Sequence, residues 1–185
     1  MASWNSRGLR GSLLEEMINL TNTKYRDEKL ALIQKVPTPI TPIEFDKEKR
    51  HITLAFFEKK STVDYIGVVQ GIPVCFDVKE CAVDTFSINN IHKHQIDFMR
   101  RFEEQSGIAF ILIYYKNRDL YYYLKFDTLL NFWERAQNGG RKSFRFDELD
   151  LTYEIQVVKG VCIHYLETIK KDLKTRCWHF NTKPL

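Results

Sequence analysis

The sequence predicts an α/β domain: a mixed sheet with helices packed against it. Three observations lead there. The chain has 185 residues, the size of one ordinary domain with room for a real core. Its apolar residues recur in the order helix, strands, helix, strands, helix, which suits a layered α/β sandwich. It carries 44% hydrophobic and 28% charged residues with only 8 Gly and 5 Pro, which excludes a mainly disordered, collagen-like or low-complexity chain. No G-x-G-x-x-G run and no Walker lysine loop is present, so a βαβ nucleotide site is not expected.

The elements follow from local patterns. Ser12-Leu13-Leu14-Glu15 has the form of a capping box, and Leu13, Leu14, Met17, Ile18, Leu20, Thr21 and Tyr25 follow at helical spacing. A helix over Leu13–Tyr25 is expected, then a first strand over Leu30–Val36. Pro37, Pro39 and Pro42 exclude a helix and weaken any central strand. Residues 37–60 therefore read as an arm inserted between the first two core strands, with the charged tip Asp46-Lys47-Glu48-Lys49-Arg50 and a β-rich return over His51–Phe57. Val63–Val69 and Pro73–Lys79 read as two strands around Gln70-Gly71-Ile72. A helix is expected over Asn89–Glu104, ended by Ser106-Gly107. Ile108–Tyr115 and Leu120–Phe126 read as a hairpin, followed by a helix over Asp127–Gln137 that stops at Asn138-Gly139-Gly140. Phe132 and Trp133 read as helix core. His92 and His94 stand two apart on the expected helix and should not face each other. Tyr153–Val158 reads as a short strand and Cys162–Lys174 as a last, basic helix.

The longest nearly unbroken apolar stretch, Ile108–Tyr115, is too short to cross a bilayer as a helix. Residues 1–10 lack the apolar centre of a signal peptide. A soluble, cytoplasmic chain is expected, and Cys75, Cys81, Cys162 and Cys177, with no zinc-type spacing, then read as reduced packing thiols. Residues 1–60 hold 11 Lys and Arg against 8 Asp and Glu, residues 61–158 hold 11 against 14, and residues 159–185 hold 6 against 2. Basic ends around an acidic middle can hold a polyanion beside a cation, or be the ordinary scatter of a solvated surface.

The chemistry is expected at Asp64 and Phe76-Asp77-Val78-Lys79. Residues two apart on a strand share a face, so Asp77 and Lys79 do. If the two strands turn near Gly71, pairing puts residue i opposite about 141 − i or 142 − i, and Asp64 falls opposite Asp77 or Val78. Two carboxylates on directly opposed positions, about 4.5–5.5 Å apart at Cβ, repel unless a cation lies between them. Oxygen ligands of this kind suit Mg²⁺ or Mn²⁺, with Lys79 beside the ion and facing an anion. That is equipment for phosphodiester hydrolysis; the bland alternative is a surface charge cluster.

Gly11-x-x-x-Glu15, Thr62-Val63-Asp64-Tyr65-x-Gly67, Phe76-Asp77-Val78-Lys79-Glu80 and His94-Gln95, in this order and with the proline-rich arm before Thr62, resemble the RecU family of Holliday junction resolvases, within the PD-(D/E)xK nuclease superfamily. The similarity runs from about Arg7 to the Asp147 region, more loosely through Ile163–Leu166. It implies a restriction-endonuclease-like fold, and an endonuclease that nicks four-way DNA junctions symmetrically in recombination and repair. The alternatives left open are a PD-(D/E)xK endonuclease of other specificity and a non-catalytic junction binder.

The resemblance implies that Thr62, Asp64, Asp77 and Gln95 hold a magnesium ion, with the Val78 carbonyl as a further ligand. It implies that Lys79 stabilises the transition state and that Glu15 is the helix glutamate, with Glu16 as rival. RecU proteins commonly carry Glu where this chain has Asp77, one methylene shorter, which bears on metal position and on the choice between Mg²⁺ and Mn²⁺. The arm takes the place of a stalk that reaches into the open centre of a junction, with Lys47, Lys49 and Arg50 at its tip and Lys59 and Lys60 at its base. Arg7 and Arg10 form a basic lead that could grip DNA. A homodimer is implied, and contact with a recombinase or branch-migration protein is left open.

Overall fold

The computed structural model describes residues 13–57, 62–157 and 163–176. Helix α1 (Leu13–Asp27) leads into β1 (Leu32–Lys35). Strands β2 (Ile40–Asp46) and β3 (His51–Phe57) follow, then β4 (Tyr65–Val69), β5 (Ile72–Cys81) and β6 (Thr85–Ser87). Helix α2 (Lys93–Glu104), β7 (Ile108–Tyr115), β8 (Leu120–Lys125), α3 (Phe126–Gln137), β9 (Ser143–Arg145), β10 (Glu154–Ile155) and α4 (Leu166–Thr175) complete the described chain.

Among the described residues, six strands form the central sheet in the order β1-β4-β5-β7-β8-β10. The β5–β7 pair is parallel and the other pairs antiparallel, so the sheet is mixed. A parallel neighbour needs a crossover, and α2 supplies it. Strands β5 and β7 are buried along most of their length, as expected of central strands covered on both faces.

One face carries Tyr65, Phe76, Phe110 and Tyr123, whose rings stack in a row across four strands at centroid spacings of 4.8, 4.7 and 4.3 Å. Helices α1 and α4 cover this face: the Tyr65 hydroxyl donates to Asn19 Oδ1 and the Tyr123 hydroxyl to Asp172 Oδ2. Tyr25 and Tyr165 meet edge to face at 5.3 Å and tie the two helices together. The opposite face carries Asp77, Ile111, Ile113 and Tyr115, the last set edge-on against Phe146. Helices α2 and α3 and the small β6–β9 sheet pack on this side, with Phe144 between Phe86 and Phe132. The α/β architecture with a mixed sheet flanked by helices is thus present.

Several expected bounds shift. Helix α2 begins at Lys93, because Ile88–Asn90 forms a separate 3-10 turn and His92 is an extended cap (φ −95, ψ 150). That extended backbone swings the His92 ring onto His94, stacked at 5.4 Å, contrary to the expectation for two residues inside one helix. The last helix starts at Leu166 after a Tyr165 cap, and the strand expected over Tyr153–Val158 shrinks to two residues. The β6–β9 pair, three residues on each side, was not expected. Cys75 and Cys81 are buried free thiols; Cys162 and Cys177 lie outside the described residues.

Within the stretch 37–60, β2 and β3 pair only with each other, in a two-stranded sheet of their own between β1 and β4 in sequence. Register shifts near Pro42 and Glu44 match the weakness expected of a proline-bearing strand. At the turn, Asp46 Oδ1 accepts from the Glu48 and Lys49 backbone N–H groups at 3.0 Å each, and Arg50 sits at φ 53.

Candidate active site

The β4–β5 hairpin sets the site. Gln70 (φ 47) and Gly71 (φ 91) both lie in the left-handed region, the geometry of a two-residue turn that matches strand twist. Val69 pairs with Ile72, and the ladder runs without a bulge to Tyr65 opposite Phe76. Each pair sums to 141, one of the two registers the sequence allowed. Continuing the ladder by one step brings Asp64 to Asp77. Gly67 holds the outer strand in place: a Cβ there would stand 2.2 Å from the Leu32 carbonyl oxygen, so β1 can approach only a glycine.

Asp77 lies in the middle of the central strand with no exposed surface. A carboxylate in such a place is costly unless compensated. Its compensation is partial: Lys79 forms an ion pair with Oδ2, yet neither carboxylate oxygen receives a hydrogen bond. Asp64 lies alongside, its Oδ2 accepting from the Val78 backbone N–H at 2.9 Å. Burial, and then the charge of Asp77, push the Asp64 carboxyl up to about 7, against the smaller opposing pull of the Val78 N–H and Lys79. Lys79 keeps about a fifth of its side chain exposed, beside the fully buried Asp77.

The structure therefore brings Asp64, Asp77 and Lys79 together. Thr62 is half-buried two residues before Asp64. Gln95 is buried in the first turn of α2, and its Oε1 accepts from the His92 backbone N–H at 3.0 Å, so this predicted ligand also caps its helix. Glu15 stands on α1 in an ion pair with Lys35, the ladder partner of Tyr65. Glu16, next to it on α1, makes no ion pair among the described residues. Lys47, Lys49 and Arg50 are exposed at the β2–β3 turn. Arg7, Arg10, Lys59 and Lys60 lie outside the described residues.

Two contributors to the site carry no signal in the sequence. Val78 was expected through its carbonyl, but its N–H orients Asp64; no side-chain signal marks such a role. Lys35 as partner of Glu15 depends on α1 packing beside β1, which no spacing reveals.

The donor set fits a hard divalent cation. Asp77 offers two buried oxygens without hydrogen bonds, and Asp64 faces it at a cost that a cation would relieve. Among the described residues no third Asp, Glu, His or Cys joins the pair, so further ligands would be neutral oxygens: the Val78 carbonyl, Thr62, Gln95 or water.

A mixed α/β sheet with an Asp–Asp–Lys cluster on a central strand and its antiparallel neighbour is the arrangement expected of a domain of the PD-(D/E)xK class. The model described as "Recombination protein U" (RecU) matches residues 9–171. The Holliday junction resolvase RecU of Pediococcus pentosaceus is 37% identical over 172 residues, covering 90% of this chain and 86% of that protein. The protein of the same name from Limosilactobacillus reuteri is 38% identical, with 90% and 84% covered. That of Bacillus subtilis is 37% identical over 167 residues, with 88% and 80% covered. The chain belongs to the RecU family.

Proposed function

We propose that this chain is a Holliday junction resolvase: a magnesium-dependent endonuclease that makes paired, symmetric nicks in four-way DNA junctions during recombination and repair. The observation that carries the reading is the buried Asp77 carboxylate, with no hydrogen bond to either oxygen, beside Asp64 and Lys79. The names of the relatives supply the DNA structure.

Asp64 and Asp77 would hold the ion, with the Val78 carbonyl, Thr62 and Gln95 completing the set; Mn²⁺ is a chemically similar substitute. Such an ion supplies Lewis acidity toward a phosphoryl oxygen and lowers the pKa of bound water. Lys79 places a positive charge where negative charge grows on the phosphorus oxygens. The Val78 N–H fixes the direction of Asp64. Glu15, steadied by Lys35, orients water at the start of β4. Aspartate in place of glutamate at position 77 holds its carboxylate one methylene closer to the strand backbone.

The β2–β3 arm, with Lys47, Lys49 and Arg50 at its turn, would meet the phosphates around the junction centre, and Arg7, Arg10, Lys59 and Lys60 would add to that contact. One chain offers one such site and resolution needs two cuts, so a two-fold homodimer matches the pseudo-symmetry of the substrate. Cytoplasmic location follows from the DNA substrate; no helix among the described residues is long and apolar enough to cross a membrane.

The test is incubation with a synthetic mobile four-way junction, a linear duplex and a flap, each with and without magnesium. Paired nicks in the junction alone, dependent on magnesium and absent in Asp64→Ala, are expected. Equal cleavage of all three DNAs would replace the junction assignment with a nuclease of other specificity. No cleavage under any condition would end the enzymatic reading.

A further inference from the structure

A second site lies on the face of the sheet that bears Asp77. The 3-10 turn at Ile88–Asn90, the start of α2, the end of α3 and the loop before β9 enclose a cavity of about 490 Å³. Pockets of roughly 300–1,000 Å³ suit small organic ligands, so a mononucleotide fits. Its lining is chemically one-sided. Ile88 and Ile91 are buried and form an apolar base, Trp133 is half-buried against it, and Lys93 and Lys142 stand at the rim. No carboxylate lines it. The Lys93 ammonium is held by Asp97 at 2.7 Å, whereas Lys142 has no ion-pair partner among the described residues. Phe132 and Trp133 were both expected as helix core: Phe132 is buried and stacks on Phe144 at 4.4 Å, and Trp133 is half-buried, packed against that core while lining the cavity.

A flat aromatic surface beside an uncommitted cation is how proteins hold an unpaired nucleotide: the base stacks and the phosphate meets the cation, with little regard to base identity. Branched DNA offers such nucleotides where strands exchange. Resting on the nuclease reading above, we propose that this cavity holds one unpaired nucleotide of a DNA strand, its base on Trp133 and its phosphate at Lys142. The same first turn of α2 carries Gln95, a member of the proposed ligand set.

The test uses the full chain in buffer without magnesium, with Trp4→Phe and Trp178→Phe leaving Trp133 as the one tryptophan of the three. The probes are a five-nucleotide dT strand, the same strand with abasic sites, and free dTMP. The dT strand should quench Trp133 fluorescence, the abasic strand should not, and dTMP should need a far higher concentration. In anisotropy titrations on the otherwise native chain, Trp133→Leu should weaken dT binding on the order of tenfold, and Trp133→Phe should restore most of it. Lys142→Gln should lower the slope of log affinity against log salt by about 0.7. Unchanged dT affinity in a folded Trp133→Leu variant, or no quenching by the dT strand, would overturn the proposal. Equal affinity for dTMP and the dT strand would overturn the strand assignment in favour of a free nucleotide. Junction cleavage in magnesium is read in parallel. Cleavage without quenching removes the pocket alone, and quenching without cleavage removes the nuclease reading while leaving a strand-binding site.

Discussion

Neutralising one of the two facing carboxylates should make the protein more stable and abolish its chemistry. In Asp64→Asn the side-chain oxygen can still accept from the Val78 N–H, so the change removes charge and little else. The wild-type carboxyl is pushed from 3.8 to about 7 by burial and by Asp77. A pKa raised in the folded state means that this state binds more protons than the unfolded chain between about pH 4 and 7. Stability is therefore lost as pH rises through that window, and the full cost is present above it. Three pKa units at 1.36 kcal/mol each put the cost at about 4 kcal/mol as an upper bound, and relaxation around the pair lowers it to about 2 kcal/mol. For a chain of this length that is a rise in Tm of roughly 4–8 °C for the variant at pH 8. The assay is thermal unfolding with chelator at pH 4.5 and pH 8, beside junction cleavage in magnesium. The two proteins should be nearly equal at the lower pH, and the variant more stable at the higher one while inactive. An Asp64→Asn protein equal to or less stable than wild type at pH 8 would refute the repulsive pair.

Three further outcomes are expected. Gly67→Ala places a methyl group 2.2 Å from the Leu32 carbonyl oxygen, and displacement of β1 should cost about 2–3 kcal/mol in urea unfolding. Lys79→Gln should leave junction binding within a few fold while lowering single-turnover cleavage on the order of 10²–10³-fold; a loss of binding instead would make Lys79 a DNA-anchoring residue. Replacing Lys47, Lys49 and Arg50 by Gln should reduce the slope of log affinity against log salt by about 3 on junction DNA, and an unchanged slope would remove the β2–β3 turn from the interface.

Much of the carboxylate–lysine site could be read from residues because the interactions that build it are local. Asp64 and Asp77 belong to one hairpin, and the Gln70-Gly71 turn leaves few registers, so counting sufficed. Lys79 follows from strand period alone. The failures sit where distant chain decides. The start of α2 was misplaced because Asn89 and Asn90 suit a helix as well as the 3-10 turn they form, and the choice is made by packing against α3 and β9. The three-residue strands β6 and β9 carry too little pattern to register, and they are held by Phe86 and Phe144 from far apart in sequence. The contacts of Tyr25 with His164 and Tyr165 cross 139 and 140 positions, a pairing that no periodicity can announce. Gln95 shows a further limit: one side chain serves as helix cap and as candidate ligand, and its residue type is compatible with both.

The parallel β5–β7 ladder has a consequence for how the molecule comes into being. During synthesis the β4–β5 hairpin can close as soon as it emerges, but the far edge of β5 must wait for Ile108–Tyr115, with all of α2 in between. Until then Asp77 lies on an open edge strand with its charge in water rather than in the interior. The nascent chain thus forms its acidic pair early and encloses it late, so the cost of burying that charge falls on the last stages of folding.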